Sequence, residues 1–279
     1  KLYAKYYQLG KKIKAGEYAV VQSMSPLELL TLFSSGDVIQ HNVSIIEGSN
    51  IKEVRAQLLS FADVLDLKTT KMNEAQLLEA IGSPHNKLEG LFLAETYRVE
   101  RGSTDLALLK RAYKSMQNLL EQQWQQRDKK LPYKEPYEAL IMASIVEKET
   151  AAPEEREQIA GVFVRRLEKR MRLETDPTVI YGLGDRYKGN IRRKHLKERT
   201  PYNTYRIKGL PPTPIALVGR EAIYAALHPS DGEELYFVAK GNGRHYFSSN
   251  LAEHNKAVRE YQIKKRVKQY RSTPEKVVK

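Results

Sequence analysis

The chain contains no cysteine. Disulfides, thiolate nucleophiles, zinc ribbons and iron–sulfur clusters are thereby excluded. No apolar run approaches the roughly 18–20 residues that span a bilayer, and no signal-peptide pattern is visible. The histidines are His41, His85, His195, His228, His245 and His254. No two stand four residues apart, so the paired zinc signature is missing and no metal site is expected. Gly182-Leu183-Gly184 lacks the remainder of either nucleotide motif. No cofactor is expected either.

Positive charge is abundant. Among 279 residues, 47 are Lys or Arg against 34 acidic ones, a net charge of +13. Such a balance favours anionic surroundings: nucleic acid, anionic lipid or an anionic cell-wall polymer. With 41% hydrophobic residues a packed core is accessible. The length suits one or two domains of about 150 residues each. The chain opens on Lys1-Leu2-Tyr3-Ala4 without a Met. It reads as truncated, with a membrane anchor expected upstream.

Local signals outline the elements. Ser25-Pro26-Leu27-Glu28 is a helix start with Ser25 as N-cap, and Gly36 ends that helix. Val43–Ile46 reads as a strand, and helices are expected over about 51–59, 73–82 and 104–124. Further helices are expected over 135–150 and from Pro153 to about Arg172. Residues 173–220, rich in Gly, Pro, Asn and Tyr, read as ordered loops with short strands, where sites often sit. Gly241-Asn242-Gly243 between two β-type runs marks a hairpin, and Asn250 caps a final helix. Its basic end, Lys264–Lys268, reads as a solvated helix end.

The most informative segment is Leu140-Ile141-Met142-Ala143-Ser144-Ile145-Val146-Glu147-Lys148-Glu149-Thr150. A helix this apolar is expected to be buried nearly all round. Two glutamates arrive at its C-terminal end, where the helix dipole disfavours carboxylates. Such local conflicts mark functional sites. Glu149 lies one turn beyond Ile145 and Val146, on an apolar stripe. Glu147 lies beyond Ala143 and Ser144, on a smaller and more polar face. Burial and the helix end both raise a carboxyl pKa, which suits Glu149 to general acid work. The alternative is that one or both carboxylates leave to solvent or pair with arginine.

Downstream come Val162-Phe163-Val164-Arg165-Arg166-Leu167, Met171-Arg172-Leu173-Glu174-Thr175-Asp176-Pro177-Thr178-Val179-Ile180-Tyr181-Gly182 and Pro201-Tyr202-Asn203-Thr204-Tyr205. Then follow Gly209-Leu210-Pro211-Pro212, His228-Pro229, Leu235-Tyr236-Phe237-Val238 and Asn250-Leu251-Ala252-Glu253-His254-Asn255. In this order and spacing the series resembles the MltG/YceG family of endolytic murein transglycosylases, over roughly residues 43–262. The resemblance implies an α+β catalytic domain at 42–262, preceded by part of a LysM-like subdomain at 1–41. A basic tail at 263–279 would follow.

It further implies a single-pass inner-membrane protein with its catalytic part in the periplasm. The substrate would be nascent peptidoglycan, and peptidoglycan synthases would be partners. By resemblance the catalytic glutamate is the second of the Glu-Lys-Glu segment, Glu149. Glu147 is the second choice, as catalyst or as a group that tunes its neighbour. Asp176, Thr178, Tyr181, Tyr202, Asn203 and Tyr205 are candidates for holding sugar, since amides and hydroxyls suit sugar hydroxyls and aromatic faces suit sugar C–H surfaces. Against that, Tyr181 and Tyr205 also suit a core, and Asp176-Pro177 a turn.

Two competing readings stand beside this one. A pyridoxal-phosphate aminodeoxychorismate lyase would need a Schiff-base lysine, and no lysine sits in a recognisable cofactor pattern. A basic module binding nucleic acid or cell wall would suit the charge. The aromatics are not interleaved with basic residues, however, and no helix-turn-helix motif is present, so nucleic acid is not an expected partner.

Overall fold

A computed structural model describes residues 12–264. By contact density the chain divides into two units, the first comprising residues 1–45, 52–86 and 95–111, the second residues 46–51, 87–94 and 112–279. Helix and sheet are mixed, with two separate two-stranded antiparallel sheets, consistent with an α+β class.

In the first unit, helix α1 (Pro26–Ser35) starts as the sequence signals. The Ser25 side chain accepts from the Glu28 amide, Glu28 accepts in return from the Ser25 amide, and Gly36 closes the helix at φ 82°. Strands β1 (Gln40–Ser44) and β2 (Thr96–Glu100) pair antiparallel, Val43 opposite Tyr97. The expected strand over 43–46 therefore begins earlier and ends two residues sooner. Helices α2 (Ile51–Leu59) and α3 (Glu74–Ile81) follow, with Val54, Leu58, Leu77, Leu78 and Ile81 buried. Buried Asp105 starts helix α4 (Asp105–Gln126), whose residues from Ala112 on belong to the second unit, and accepts from the amides of Lys68 and Thr69 and from the Thr69 hydroxyl. These bonds neutralise a carboxylate that would otherwise be costly to bury.

The second unit is built around helix α5 (Pro136–Glu149), in which every residue from Ala139 to Val146 is buried. It packs against helices α6 (Arg156–Glu168) and α9 (Arg220–Leu227). Phe163, Leu173, Ile215, Val218, Ile223 and Leu227 complete this core. Ser144, the polar residue within the apolar run, donates to the Ile141 carbonyl and accepts from the Ile215 amide. It thus fastens the buried 215–218 stretch to α5.

Residues 173–220 correct the expectation of short strands. Pro177 and Asp176 open helix α7 (Asp176–Leu183), and a five-residue helix α8 (Arg193–Lys197) follows. Proline at the first helical turn and an acidic residue beside it are helix-start signals. The helix expected from Pro153 to about Arg172 is shorter, with a 3-10 turn at Pro153–Glu155 and α6 ending at Glu168. Strands β3 (Tyr236–Ala239) and β4 (His245–Ser248) form the expected hairpin, and Asn250 caps helix α10 (Leu251–Val258). Residues 1–11 of the expected LysM-like segment, and the basic run beyond Lys264, lie outside the described residues.

Candidate active site

The end of α5 delivers both glutamates into one groove of about 640 Å³, lined by Ile46, Glu47, Gly48, Glu147, Lys148, Glu149, Thr150, Ala151 and Arg156. Its walls are the α5 end, the turn into α6 and the 46–48 loop. That loop is held by paired backbone bonds, Gly48 N–H to the Leu217 carbonyl at 2.9 Å and Leu217 N–H to the Ser49 carbonyl at 2.7 Å. The Lys148 ammonium donates to the Gly48 carbonyl at 2.9 Å, clamping the loop to the helix end. Ile46 is 58% exposed, an apolar surface at the groove rim.

The two carboxylates are held differently. Glu149 has one hydrogen bond among the described residues, from the Thr175 hydroxyl to Oε2 at 2.7 Å. Burial is the largest influence on its carboxyl, and with the nearby charge of Asp176 it outweighs that bond, pushing the pKa up to about 7. Glu147 has a side chain only 6% exposed. Its Oε2 accepts from the Gly219 amide at 3.2 Å, and its Oε1 lies 3.5 Å from the Arg156 guanidinium. Burial raises its pKa, opposed by the amide bond and then by Arg156. Arg156 also faces Glu47 at 3.7 Å and Glu221 at 3.9 Å. A β-carbon on Gly219 would lie 1.8 Å from Glu47 Oε1, so a side chain there would make the Glu47 carboxylate swing aside.

Thr175 is itself fixed. Its amide donates to Thr204 Oγ1 at 3.1 Å, its carbonyl accepts from Thr178 Oγ1 at 2.8 Å, and the Thr178 and Thr204 hydroxyls lie 2.8 Å apart. All three threonines are buried. The preceding residue, Glu174, adopts φ 54°, a left-handed conformation uncommon outside glycine, and bonds to Arg166. Beside this knot the Tyr205 hydroxyl donates to Asp176 Oδ1 at 2.8 Å. Burial first, then Asp176, pushes the Tyr205 pKa up, so it remains a donor at neutral pH.

Of the residues the sequence singles out, Glu149, Asp176 and Tyr205 come together. Thr178 is fully buried with its hydroxyl engaged internally. Asn203 is 1% exposed, and its amide donates to the carbonyls of His195, Leu196 and Glu198 while its Oδ1 accepts from the Tyr205 amide. Tyr181 and Tyr202 meet edge to face at 4.9 Å against the core, and Tyr202 bonds Thr213. The groove lining comes from residues 46–48, 147–151 and 156, whereas the sequence reading looked to the loops of 173–220. Thr175, Arg156 and the 46–48 loop were missed. Thr175 stands between two carboxylates in sequence and has no periodic signal. Arg156 carried a weak one, as a cation seven residues beyond an acidic helix end. Among the described residues, no group of three or more His, Asp or Glu side chains is arranged to hold a metal ion.

Comparison with known proteins places these features in a context. The model of a family described as the YceG-like family matches residues 1–260. An endolytic murein transglycosylase of Bacillus subtilis is 40% identical over 174 residues, 62% of this chain and 48% of that protein. One from Streptococcus pneumoniae is 27% identical over 292 residues, covering 93% of this chain and 52% of that protein. The chain thus spans about half the length of the curated relatives it matches. The solved structure of a yceG-like protein from Listeria monocytogenes superposes with a TM-score of 0.63 at 31% identity, covering 91% of this chain and 88% of the other.

Proposed function

The chain belongs to the YceG-like family, and from that premise we propose that it is the catalytic part of an endolytic peptidoglycan lytic transglycosylase. The reaction is cleavage of the MurNAc–GlcNAc bond in nascent glycan strands, leaving 1,6-anhydro-MurNAc ends. Glu149 is the acid and then the base. The observation that carries the reading is the carboxyl of Glu149, lining an open groove with a pKa raised to about 7 and one hydroxyl partner.

Most glycosidases use two carboxylates, but intramolecular attack needs one. Protonated Glu149 gives its proton to the departing GlcNAc oxygen as the glycosidic bond breaks. The resulting carboxylate takes the proton of the MurNAc 6-hydroxyl, whose oxygen bonds to C1. The proton count closes on Glu149 and no water is consumed. A group with a pKa near the working pH serves both halves. Thr175 holds Oε2, fixing the carboxyl plane and leaving Oε1 for the sugar. Asp176 favours the protonated form before cleavage, and Tyr205 restrains Asp176. Glu147, tied to Gly219 and Arg156, acts as a positioning residue for the helix end.

Digestion of purified sacculi with mass spectrometry of the ends tests this. Anhydro ends are expected; reducing MurNAc ends would make the enzyme a hydrolase. A single-pass inner-membrane anchor upstream, a periplasmic location and peptidoglycan synthases as partners belong to the same proposal. Among the described residues no helix is long and apolar enough to cross a membrane. Membrane fractionation and crosslinking of the full-length gene product check anchor and partners, and a freely soluble cytosolic product would refute the anchor. Residues 1–41 are proposed as part of a LysM-like subdomain before a catalytic domain at 42–262. Equal retention on insoluble peptidoglycan with and without that segment would refute this.

A further inference from the structure

Glycan cleavage leaves one strongly charged surface unused. Residues 183–199 contain seven Lys or Arg and two acidic residues, Asp185 and Glu198, a net charge of +5 within a chain of +13. Arg186, Lys188, Arg192, Arg193, Lys194, Lys197 and Arg199 are all exposed. A scattered set of surface cations would be unremarkable, but these surround a pocket of about 520 Å³ lined by Leu183, Arg186, Lys194, His195, Lys197 and Glu198.

The pocket is built to donate. His195 Nδ1 accepts from the Arg192 amide at 3.1 Å, which puts the hydrogen of a neutral ring on Nε2. Glu198 Oε1, the acceptor in the lining, is engaged by Arg186 at 2.8 Å. Buried Asn203 holds the carbonyls of His195, Leu196 and Glu198 and so fixes the shape of the lobe. The Arg186 guanidinium in the lining shares one N–H with that carboxylate, and two lysines and an imidazole N–H stand beside it. Ammonium groups act as point charges suited to tetrahedral phosphate, and the guanidinium groups around the pocket pair with phosphate oxygens as well.

We propose that the 183–199 lobe binds an anionic phosphodiester polymer of the polyol-phosphate class, at a site separate from the glycan groove. Two observations favour a flexible polymer over a bilayer. The site is concave, so a flat membrane surface cannot bring its headgroups inside. None of the large apolar side chains that stand exposed in the protein belongs to residues 186–199, so nothing there can insert among acyl chains. A thread of phosphates separated by small polyols can enter the pocket and continue along the outer cations. Its binding would hold the enzyme beside wall material while the glycan groove remains open.

The test is titration of the intact protein with a synthetic poly(glycerol phosphate) oligomer over a range of salt. Binding should weaken with salt, with a log–log slope of about −2 to −3 if three or four phosphates are neutralised. The charge reversals Lys194→Glu and Lys197→Glu together should lower affinity at least about tenfold, with unchanged thermal unfolding and unchanged digestion of polymer-free glycan. The paired control Lys110→Glu and Lys114→Glu changes net charge equally on exposed positions of α4, and should lose less than about threefold. Equal loss in the control would reduce the effect to bulk charge and overturn the proposal. So would binding to phosphatidylglycerol vesicles or to polygalacturonate as strong as to the phosphate oligomer, and so would no binding at all.

Discussion

Two carboxylates stand two residues apart at the end of α5, in opposite surroundings. Glu147 is enclosed by an amide donor and a guanidinium that also faces two further carboxylates. Glu149 has one neutral hydroxyl partner and an acidic neighbour. Burial pushes both carboxyls up, but at Glu147 an amide and a guanidinium oppose the push, whereas at Glu149 a single hydroxyl does. Helix geometry alone separates the two faces, and the partners each face meets underlie the proposal that Glu147 is a fixture and Glu149 the proton carrier.

The sharpest way to break this contrast is Glu149→Gln against Glu147→Gln. The first should lower glycan cleavage by about 10²–10⁴, and the second much less, read as anhydro-end formation per unit time. A dead Glu147→Gln beside an active Glu149→Gln would reverse the roles. Stability should move the other way. Glu147→Leu strands the Gly219 amide and removes one partner of Arg156, with an expected cost of about 1–3 kcal/mol in denaturant unfolding. Unchanged stability would erase the distinction.

A pH series sharpens it further. The pKa of Glu149 in the folded protein is about 7, raised from 4.5. The folded state therefore keeps a proton that the unfolded chain releases. The associated stability is full below pH 4.5 and is lost as pH rises through about 7. Glu149→Gln escapes that loss, so its melting temperature should exceed the wild type's at pH 8 and approach it at pH 5. A constant difference across that range would place the titration elsewhere.

Smaller effects come from the partners of Glu149. Thr175→Val removes the bond that favours the carboxylate, so the alkaline limb of the rate profile should move upward, by about one pH unit. Asp176→Asn removes a charge that favours the protonated form, and should move the same limb downward, by less. Shifts in the same direction for both variants would contradict the geometry around Glu149.

Much of the frame was legible because it depends on neighbours in sequence. The apolar run of 139–146 announces a buried helix, Ser25 and Asn250 announce caps, and Gly241-Asn242-Gly243 announces a hairpin. The stripe below Ile145 and Val146 singles out Glu149. What was not legible depends on chain closure over long separations. Arg156 meets Glu47 across more than a hundred residues, and Gly48 meets Leu217 across more still. Asn203 has a chemistry that suits sugar, but three backbone carbonyls of its own lobe claim it first. Residues 173–183 misled because Asp-Pro opens a turn and a helix with equal ease.

Asn203, Thr204 and Tyr205 are consecutive, yet one carries the lobe, the next the threonine knot and the third Asp176. Evolution can therefore edit the two sides of this tripeptide on unequal terms. None of the three attachments uses an atom of residues 187–192, so changes there are expected to be tolerated. A single-residue deletion within the tripeptide shifts every attachment at once. The tripeptide is in effect a latch, with the 183–199 lobe on one side and the threonine knot and Asp176 on the other.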